Sequence, residues 1–506
     1  MDKPLLSKKN VKENVVIGFI LVLISLLAVM MSTVDPLSPN GRHWYDSSVF
    51  VYVAKVMANG GLPYRDAFDH KGPLLYFINL LGWKIGYNGI WYVEFLFMIL
   101  SSWGIYLTSR LFAGKIRSLA VVLVVTGGLS KFFEGGNFTE EYALPIQIFA
   151  LYIFLDYLYN NRTTSLRIAI SGFLMGLVLM LRANMIPVWF VFCAFIFFRG
   201  LYRKTYKELL KFAGLFLAGL AAALLPFVIY FTVNRIWDDF IRFYWVLNLK
   251  YTKAVDQEVS SSFTETLFKF MVLPSVLVSL VLMIIKIFRG EKKEIRICDA
   301  VCLAYMFSAL ALISMGGRYY LHYAMVIMPM LIYPLAAFPF SYSKSEFKAA
   351  QKSMRSKAFA QLTSKILISV LLGFMLIVIP WYGIFKSLRD DIILHAEGFY
   401  NTYSYNYNDL IDYIDSNTSP DDKISVFGNA VHIYVSSDRF SASRYEYNTR
   451  RDVLPEIMDE YLDDLEANDV RMVISRGDIE DERMLGFLAL HGFEKTKTFG
   501  EYVVYE

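Results

Sequence analysis

The chain has 506 residues, of which 56% are hydrophobic and only 19% charged, and its mean hydropathy is +0.41. That composition excludes a water-soluble protein of this length, and a net charge of +4, segregated between loops, does not imply nucleic acid as a partner. The apolar residues fall in runs of roughly 17 to 25, the length of a helix crossing a hydrocarbon layer ~30 Å thick, where helices satisfy their own backbone hydrogen bonds without water.

In chain order, residues 1–14 are a polar tail carrying Lys3, Lys8, Lys9 and Lys12. The apolar run from Val15 to about Ser32 lacks a small-residue cleavage site and reads as a retained first span. Further spans are predicted near 90–110, 116–130, 141–158, 168–181, 184–199, 212–233, 265–287, 298–314, 324–340 and 365–386, about eleven in all. Alternate loops carry the basic residues, for example Arg110, Lys115 and Arg117, then Arg199, Arg203 and Lys204, then Lys344, Lys348 and Lys352. By the positive-inside rule these loops and the N-terminus are cytoplasmic, so the loops at about 34–72, 131–140, 234–264 and 316–323 and the whole tail face the other side. Cys193, Cys298 and Cys302 lie within apolar runs and read as small core residues rather than a disulfide or a metal pair.

The first outer loop, 34–72, is the densest concentration of polar chemistry. It reads His43-Trp44-Tyr45-Asp46-Ser47-Ser48, then Gly60-Gly61-Leu62-Pro63-Tyr64-Arg65-Asp66, then Asp69-His70-Lys71-Gly72-Pro73. Between these, Val49, Phe50, Val53, Val56 and Met57 recur at helical spacing, predicting an amphipathic helix over 47–58 that lies in the membrane interface. Asp46 then stands at its N-terminus, where it serves as a helix cap, as a carboxylate poised to take a proton from a substrate hydroxyl, or as both. Aromatic residues crowd 237–251, where an interfacial belt and sugar stacking against Trp237, Tyr244 or Trp245 are both open readings. Asn137-Phe138-Thr139 and Asn417-Thr418-Ser419 fit the glycosylation acceptor pattern, which occurs often by chance, and neither is assigned a role.

The tail from about Glu397 changes character, holding half of the 46 acidic residues. Lys423–Gly428, Val470–Ser475 and Thr498–Tyr505 read as strands and Val453–Ala467 as a helix, which predicts a small α/β domain. Asp421-Asp422 reads as a turn before a strand, and the acidic run Asp459–Asp469 as a solvated helix face.

Taken together, Asp46 leading an interfacial helix, the Gly-Leu-Pro-Tyr stretch, Asp69-His70-Lys71-Gly72-Pro73, Gly136-Asn137-Phe138-Thr139-Glu140-Glu141, Leu181-Arg182-Ala183-Asn184 and Gly317-Arg318-Tyr319-Tyr320-Leu321-His322 resemble the GT-C membrane glycosyltransferases. The resemblance spans about 15–386 and is nearest to the protein O-mannosyltransferase and aminoarabinose transferase superfamily. Ser47 stands where those relatives often carry a second acid. It implies a polytopic α-helical membrane protein, with a GT-C type transmembrane domain over 15–386 and a small extracytoplasmic α/β domain over 387–506. The implied reaction moves a sugar from a polyprenyl-phosphate donor to an envelope polymer, glycolipid or protein at the outer face of a bacterial plasma membrane. The absence of a Gly-rich dinucleotide loop or P-loop lysine motif agrees with a lipid-borne donor.

Such a transfer needs a base near the acceptor hydroxyl and positive charge near the departing phosphate. Asp46 is the expected base, with Glu140 or Glu141 as a second carboxylate. Lys71, Arg182, Arg318 and His322 are the expected phosphate binders, although each cation also suits a snorkelling role. Asp66, Asp69 and His70 are further candidates in the first loop. A divalent cation, Mg or Mn, would draw on Asp46, Glu140 and His70. Two other classes stand beside this one: a transporter or lipid flippase, disfavoured by uncharged span centres and no visible repeat, and an anchored interaction protein, for which eleven spans are more than an anchor requires.

Overall fold

Lys8–Val29 forms the first helix (α1), starting within the expected polar tail. The structure is a computed structural model that describes residues 8–37, 45–86, 88–251, 262–288, 293–338, 373–396, 405–447 and 453–506. His43, Trp44 and the basic loop around Lys344–Lys357 lie outside the described residues. Then follow α2 (Tyr45–Ala58), α3 (Pro73–Ile85), α4 (Gly89–Arg110), α5 (Lys115–Gly128), α6 (Thr139–Asn160), α7 (Ser165–Leu179), α8 (Pro187–Tyr202) and α9 (Tyr206–Asn234). Among the described residues five helices are long and apolar enough to cross a bilayer, or six with one bent pair, and Ser165–Leu179, Pro187–Tyr202 and Leu321–Ala337 are shorter apolar helices.

Packing among these helices follows membrane rules. Ser25 on α1 donates to the Leu21 carbonyl at 2.8 Å and meets the Ser102 hydroxyl of α4 at 2.8 Å, a polar tie between two apolar surfaces. Apolar side chains of α9 such as Val233, 73% exposed, are left uncovered by the described residues, as suits a face turned to lipid.

Three sequence expectations are corrected. The span expected over 265–287 is two helices, Phe263–Met271 and Pro274–Phe288, bent by 79°. Pro274 lacks the N–H that would continue the first helix, so the chain turns there. Helix α2 does not present the open amphipathic face expected of an interfacial helix. It is buried on nearly all sides, because its polar residues find partners in the C-terminal domain: Lys55 reaches the Tyr434 and Arg439 carbonyls at 3.2 and 3.1 Å and Asp438 at 2.7 Å, and the Tyr52 hydroxyl accepts from the Ser441 N–H at 2.8 Å. The run Thr498–Tyr505 is a hairpin rather than one strand, turned at Gly500, whose φ of +59° favours glycine.

Beyond the helix Ile379–Ala396, which runs past the expected boundary at 386, the C-terminal domain carries a five-stranded sheet of order β2-β1-β3-β5-β4. Strands β1 (Lys423–Phe427), β2 (Phe440–Ser441) and β3 (Met472–Arg476) are parallel, and β4 (Lys495–Phe499) and β5 (Tyr502–Tyr505) add antiparallel pairings. The helix Glu456–Ala467 buries Ile457, Met458, Tyr461 and Leu465 and exposes Asp459, Asp463 and Glu466. Glu460 and Asp464, expected on the same solvated face, are half-buried, Glu460 paired with Arg242 and Arg444 and Asp464 with Ser443. Asp422 closes the turn before β1 by accepting the Ser419 N–H at 2.7 Å. Cys193, Cys298 and Cys302 are free thiols.

Candidate active site

Backbone contacts bring two of the sequence motifs together. Gly72 donates its N–H to the Leu181 carbonyl and Leu74 donates to the Met180 carbonyl, both at 3.0 Å. A Cβ at Gly72 would stand 2.1 Å from the Met180 oxygen, so only glycine permits the approach that sets Lys71 beside Arg182. Pro73 then opens α3 at a position where the missing N–H costs nothing.

The loop between α5 and α6 supplies the floor. Glu134, Gly135, Gly136 and Asn137 all have positive φ, between 44° and 91°. Asn137 is buried and knits the region: its Nδ2 donates to Ser47 Oγ at 2.9 Å, its Oδ1 accepts from Tyr142 at 2.8 Å, and its N–H goes to Glu141 at 2.9 Å. Ser47, the neighbour of Asp46, is thereby fixed from behind.

These elements enclose a cavity of about 840 Å³. Six of the expected residues line it: Asp46, His70, Lys71, Arg182, Arg318 and His322. Asp46 sits in the first turn of α2 rather than before it, where the helix dipole favours a carboxylate, and it has no hydrogen-bond or ion-pair partner among the described residues. The Lys71 ammonium lies 3.5 Å from His70 Nε2 and 5.9 Å over the Phe50 ring, while His70 Nδ1 is 3.0 Å from Asn248 Oδ1. Arg182 is held between Glu140, at 2.5 Å, and the Tyr323 hydroxyl, at 2.7 Å.

The other four expected residues are placed off the cavity wall. Asp66 is exposed and accepts the Leu62 N–H at 2.7 Å, closing its own loop. Asp69 is buried and takes hydroxyl protons from Tyr76 and Tyr447, each at 2.9 Å, which ties the first loop to the C-terminal domain. Glu140 is committed to Arg182 and to Thr139, and Glu141 to Asn137. Of the expected metal set only Asp46 and His70 therefore share the cavity, and among the described residues no three His, Cys, Asp or Glu side chains converge to hold an ion.

Sequence reading missed Glu134, Asn248 and Asn429 on the same wall, and gave no role to Asn184, which it named only as part of a motif. Asn429 follows β1 and brings the C-terminal domain to the cavity. Tyr244 and Trp245 of the aromatic stretch line the wall and Trp237 does not, packing instead 5.2 Å from Phe231. One side is apolar, made of Leu249, Leu312, Ile313 and Met315, with Leu249 and Met315 61% and 66% exposed. Glu134 accepts hydrogen bonds from His322, which hold its carboxyl below the usual carboxylate range.

The whole chain is similar to solved GT-C membrane enzymes. ArnT from Cupriavidus metallidurans in the apo state aligns over 96% of this chain and 97% of its own, with 13% identity and a TM-score of 0.60. The same protein bound to undecaprenyl phosphate aligns over 98% of each chain, with 11% identity and a TM-score of 0.61. The archaeal oligosaccharyltransferase AglB from Archaeoglobus fulgidus, in complex with an inhibitory peptide and a dolichol-phosphate, aligns over 93% of this chain and 70% of its own, with 11% identity and a TM-score of 0.53. At such identities the likeness establishes a GT-C fold in a polytopic helical membrane protein. No curated protein matches the chain. Residues 7–390 match the family described as "Putative competence-induced protein Ccs4 N-terminal domain", and the chain belongs to that family.

Proposed function

We propose that the protein is a glycosyltransferase that moves a sugar from a polyprenyl-phosphate carrier to an acceptor at the outer face of a bacterial plasma membrane. The observation that carries this reading is one cavity in which a carboxylate without a partner among the described residues, Asp46, shares the wall with Lys71, Arg182 and Arg318 beside an apolar, partly exposed flank. A lipid phosphate matches that combination of cations and apolar surface. The ArnT structure bound to undecaprenyl phosphate and the AglB structure in complex with a dolichol-phosphate support the same carrier class.

In this reaction Asp46 takes the proton of the acceptor hydroxyl as its oxygen bonds to the anomeric carbon. The bond from that carbon to the phosphate oxygen breaks, and its electron pair stays on the departing phosphate. Lys71, Arg182 and Arg318 offset the charge that develops there. Loop charges support residues 1–14 as a cytoplasmic tail, 15–386 as the membrane domain and 387–506 as extracytoplasmic, with Asn429 reaching the reaction space from the outside.

The test is release of polyprenyl phosphate by the purified protein in lipid, supplied with a panel of polyprenyl-phosphate sugars. Asp46→Asn should lower turnover by roughly a hundredfold or more, the scale of general-base catalysis. Lys71→Ala should weaken use of the carrier. Turnover unchanged in Asp46→Asn would reduce that residue to a helix-terminal charge, and a folded wild type that releases nothing from any donor would favour a transporter.

A further inference from the structure

Glu134 and His322 are 188 positions apart, yet they form one unit on the cavity wall. Glu134 Oε2 accepts the His322 backbone N–H at 3.1 Å and lies 2.6 Å from Nδ1. The imidazole is stacked on Phe138, with centroids 4.2 Å apart and planes 9° apart, and Tyr320 lies nearly parallel to it at 5.7 Å. Tyr323 meets the ring edge-on at 4.8 Å. The ring thus has one orientation. A carboxylate only accepts, so Nδ1 carries the proton of that contact, and Nε2 has no hydrogen-bond partner among the described residues.

We propose that Glu134 is a positioning residue that holds His322 as an imidazolium, so that its Nε2–H donates to a phosphate oxygen of the lipid carrier. This rests on the carrier reading above. A neutral imidazole in the same pose would offer a lone pair to the phosphate and repel it, so the charge supplied through Glu134 decides what the ring does. The other charged and titratable groups around the ring are Glu140, Arg182, Arg318 and the Tyr320 and Tyr323 phenols. Glu140 is already bonded to Arg182, which leaves Glu134 as the carboxylate in direct contact with the imidazole. The depressed carboxyl of Glu134 agrees with a charged partner. Its backbone φ of 44°, rare outside glycine, is what turns the side chain back toward His322.

The experiment is binding of undecaprenyl phosphate to the full-length protein in lipid nanodiscs across roughly pH 5 to 9, where an imidazole titrates. Wild-type affinity should fall as pH rises across that range. Glu134→Gln keeps an acceptor oxygen for Nδ1–H but loses the charge, so the fall should be displaced toward lower pH. His322→Gln should bind about tenfold weaker at low pH and lose the wild-type fall, leaving only what the carrier and His70, on the same wall, contribute in all three proteins. A Glu134→Gln profile that overlays the wild type, or a His322→Gln profile that keeps the wild-type fall, overturns the inference while leaving the carrier reading intact. Wild type that binds no carrier at any pH overturns both.

Discussion

Arg182 shows how one buried cation depends on its neighbours. Its guanidinium bonds Glu140 and Tyr323 and lies 4.3 Å over the Tyr323 ring, so it is aimed before any ligand arrives. Glu140→Gln should lower thermal stability by about 2 kcal/mol, the scale of a hydrogen bond to a charged group. Carrier binding should persist in that variant, because Glu140 is off the cavity wall. Loss of turnover at unchanged stability would instead mark Glu140 as a reacting carboxylate. The sequence made Asp46, Lys71, Arg182, Arg318 and His322 conspicuous because charge is costly near a bilayer and these residues sit in short polar stretches between apolar runs. It gave no sign of Glu134 or Asn429. Glu134 reads as an ordinary loop acid until a turn of positive-φ residues brings it to His322, and Asn429 is an ordinary residue after a strand until the domain docks. A contact across 188 positions leaves no local spacing to read.

Helices were legible where a long apolar run coincided with a single element, as in α4, α6 and α9. Helix α3 was not, because its 13 residues fall short of a span and their apolar pattern merges with the end of the first loop. The break before Pro274 was hidden for the opposite reason: the run stays apolar across the bend. Contact between α7 and α9 rests on small residues. A Cβ at Gly172 would stand 1.9 Å from the Phe216 oxygen, and one at Gly219 1.8 Å from the Ala169 oxygen, so the backbones touch. With lipid as good an apolar solvent as leucine, such close packing is what favours association. Gly219→Leu should therefore force the helices apart and cost about 1–3 kcal/mol. Gly214→Leu on the same helix, with open space at its Cβ, should cost far less, and equal melting temperatures for the two variants in detergent would refute the close-packing account.

At the scale of the molecule, the C-terminal domain is fastened to the membrane domain by polar contacts on both sides of the cavity. One set joins α2 to the domain through Lys55 and Tyr52. The other centres on Glu460, which bonds Arg242 of the 237–251 stretch at 2.7 Å as well as Arg444 and Tyr445 of its own domain. Arg444 also approaches Asp239, at 3.6 Å, and Asp239 approaches Arg65 of the first loop, at 3.7 Å. Because Tyr244, Trp245 and Asn248 on that stretch line the cavity, the seam fixes the wall as well as the domain. Burial alone would raise the Glu460 carboxyl, but the hydrogen bonds from Arg242, Tyr445 and Arg444 outweigh it and hold it at about 2, against an ordinary value of 4.5. A folded pKa below the unfolded one means the stabilisation is complete above the unfolded value and is lost as pH falls through the folded one. Wild type should therefore exceed Glu460→Gln in thermal stability by a constant margin at pH 5 and above, and the margin should shrink as pH falls from about 4.5 toward 2. Comparing the two proteins at each pH cancels every other carboxylate that titrates in the same window. A margin that stays constant down to pH 2 would show that the charge of Glu460 does not hold the seam, and docking would then rest on other contacts, such as those of Lys55, Tyr52, Phe68 with Glu446, and Asp69 with Tyr447.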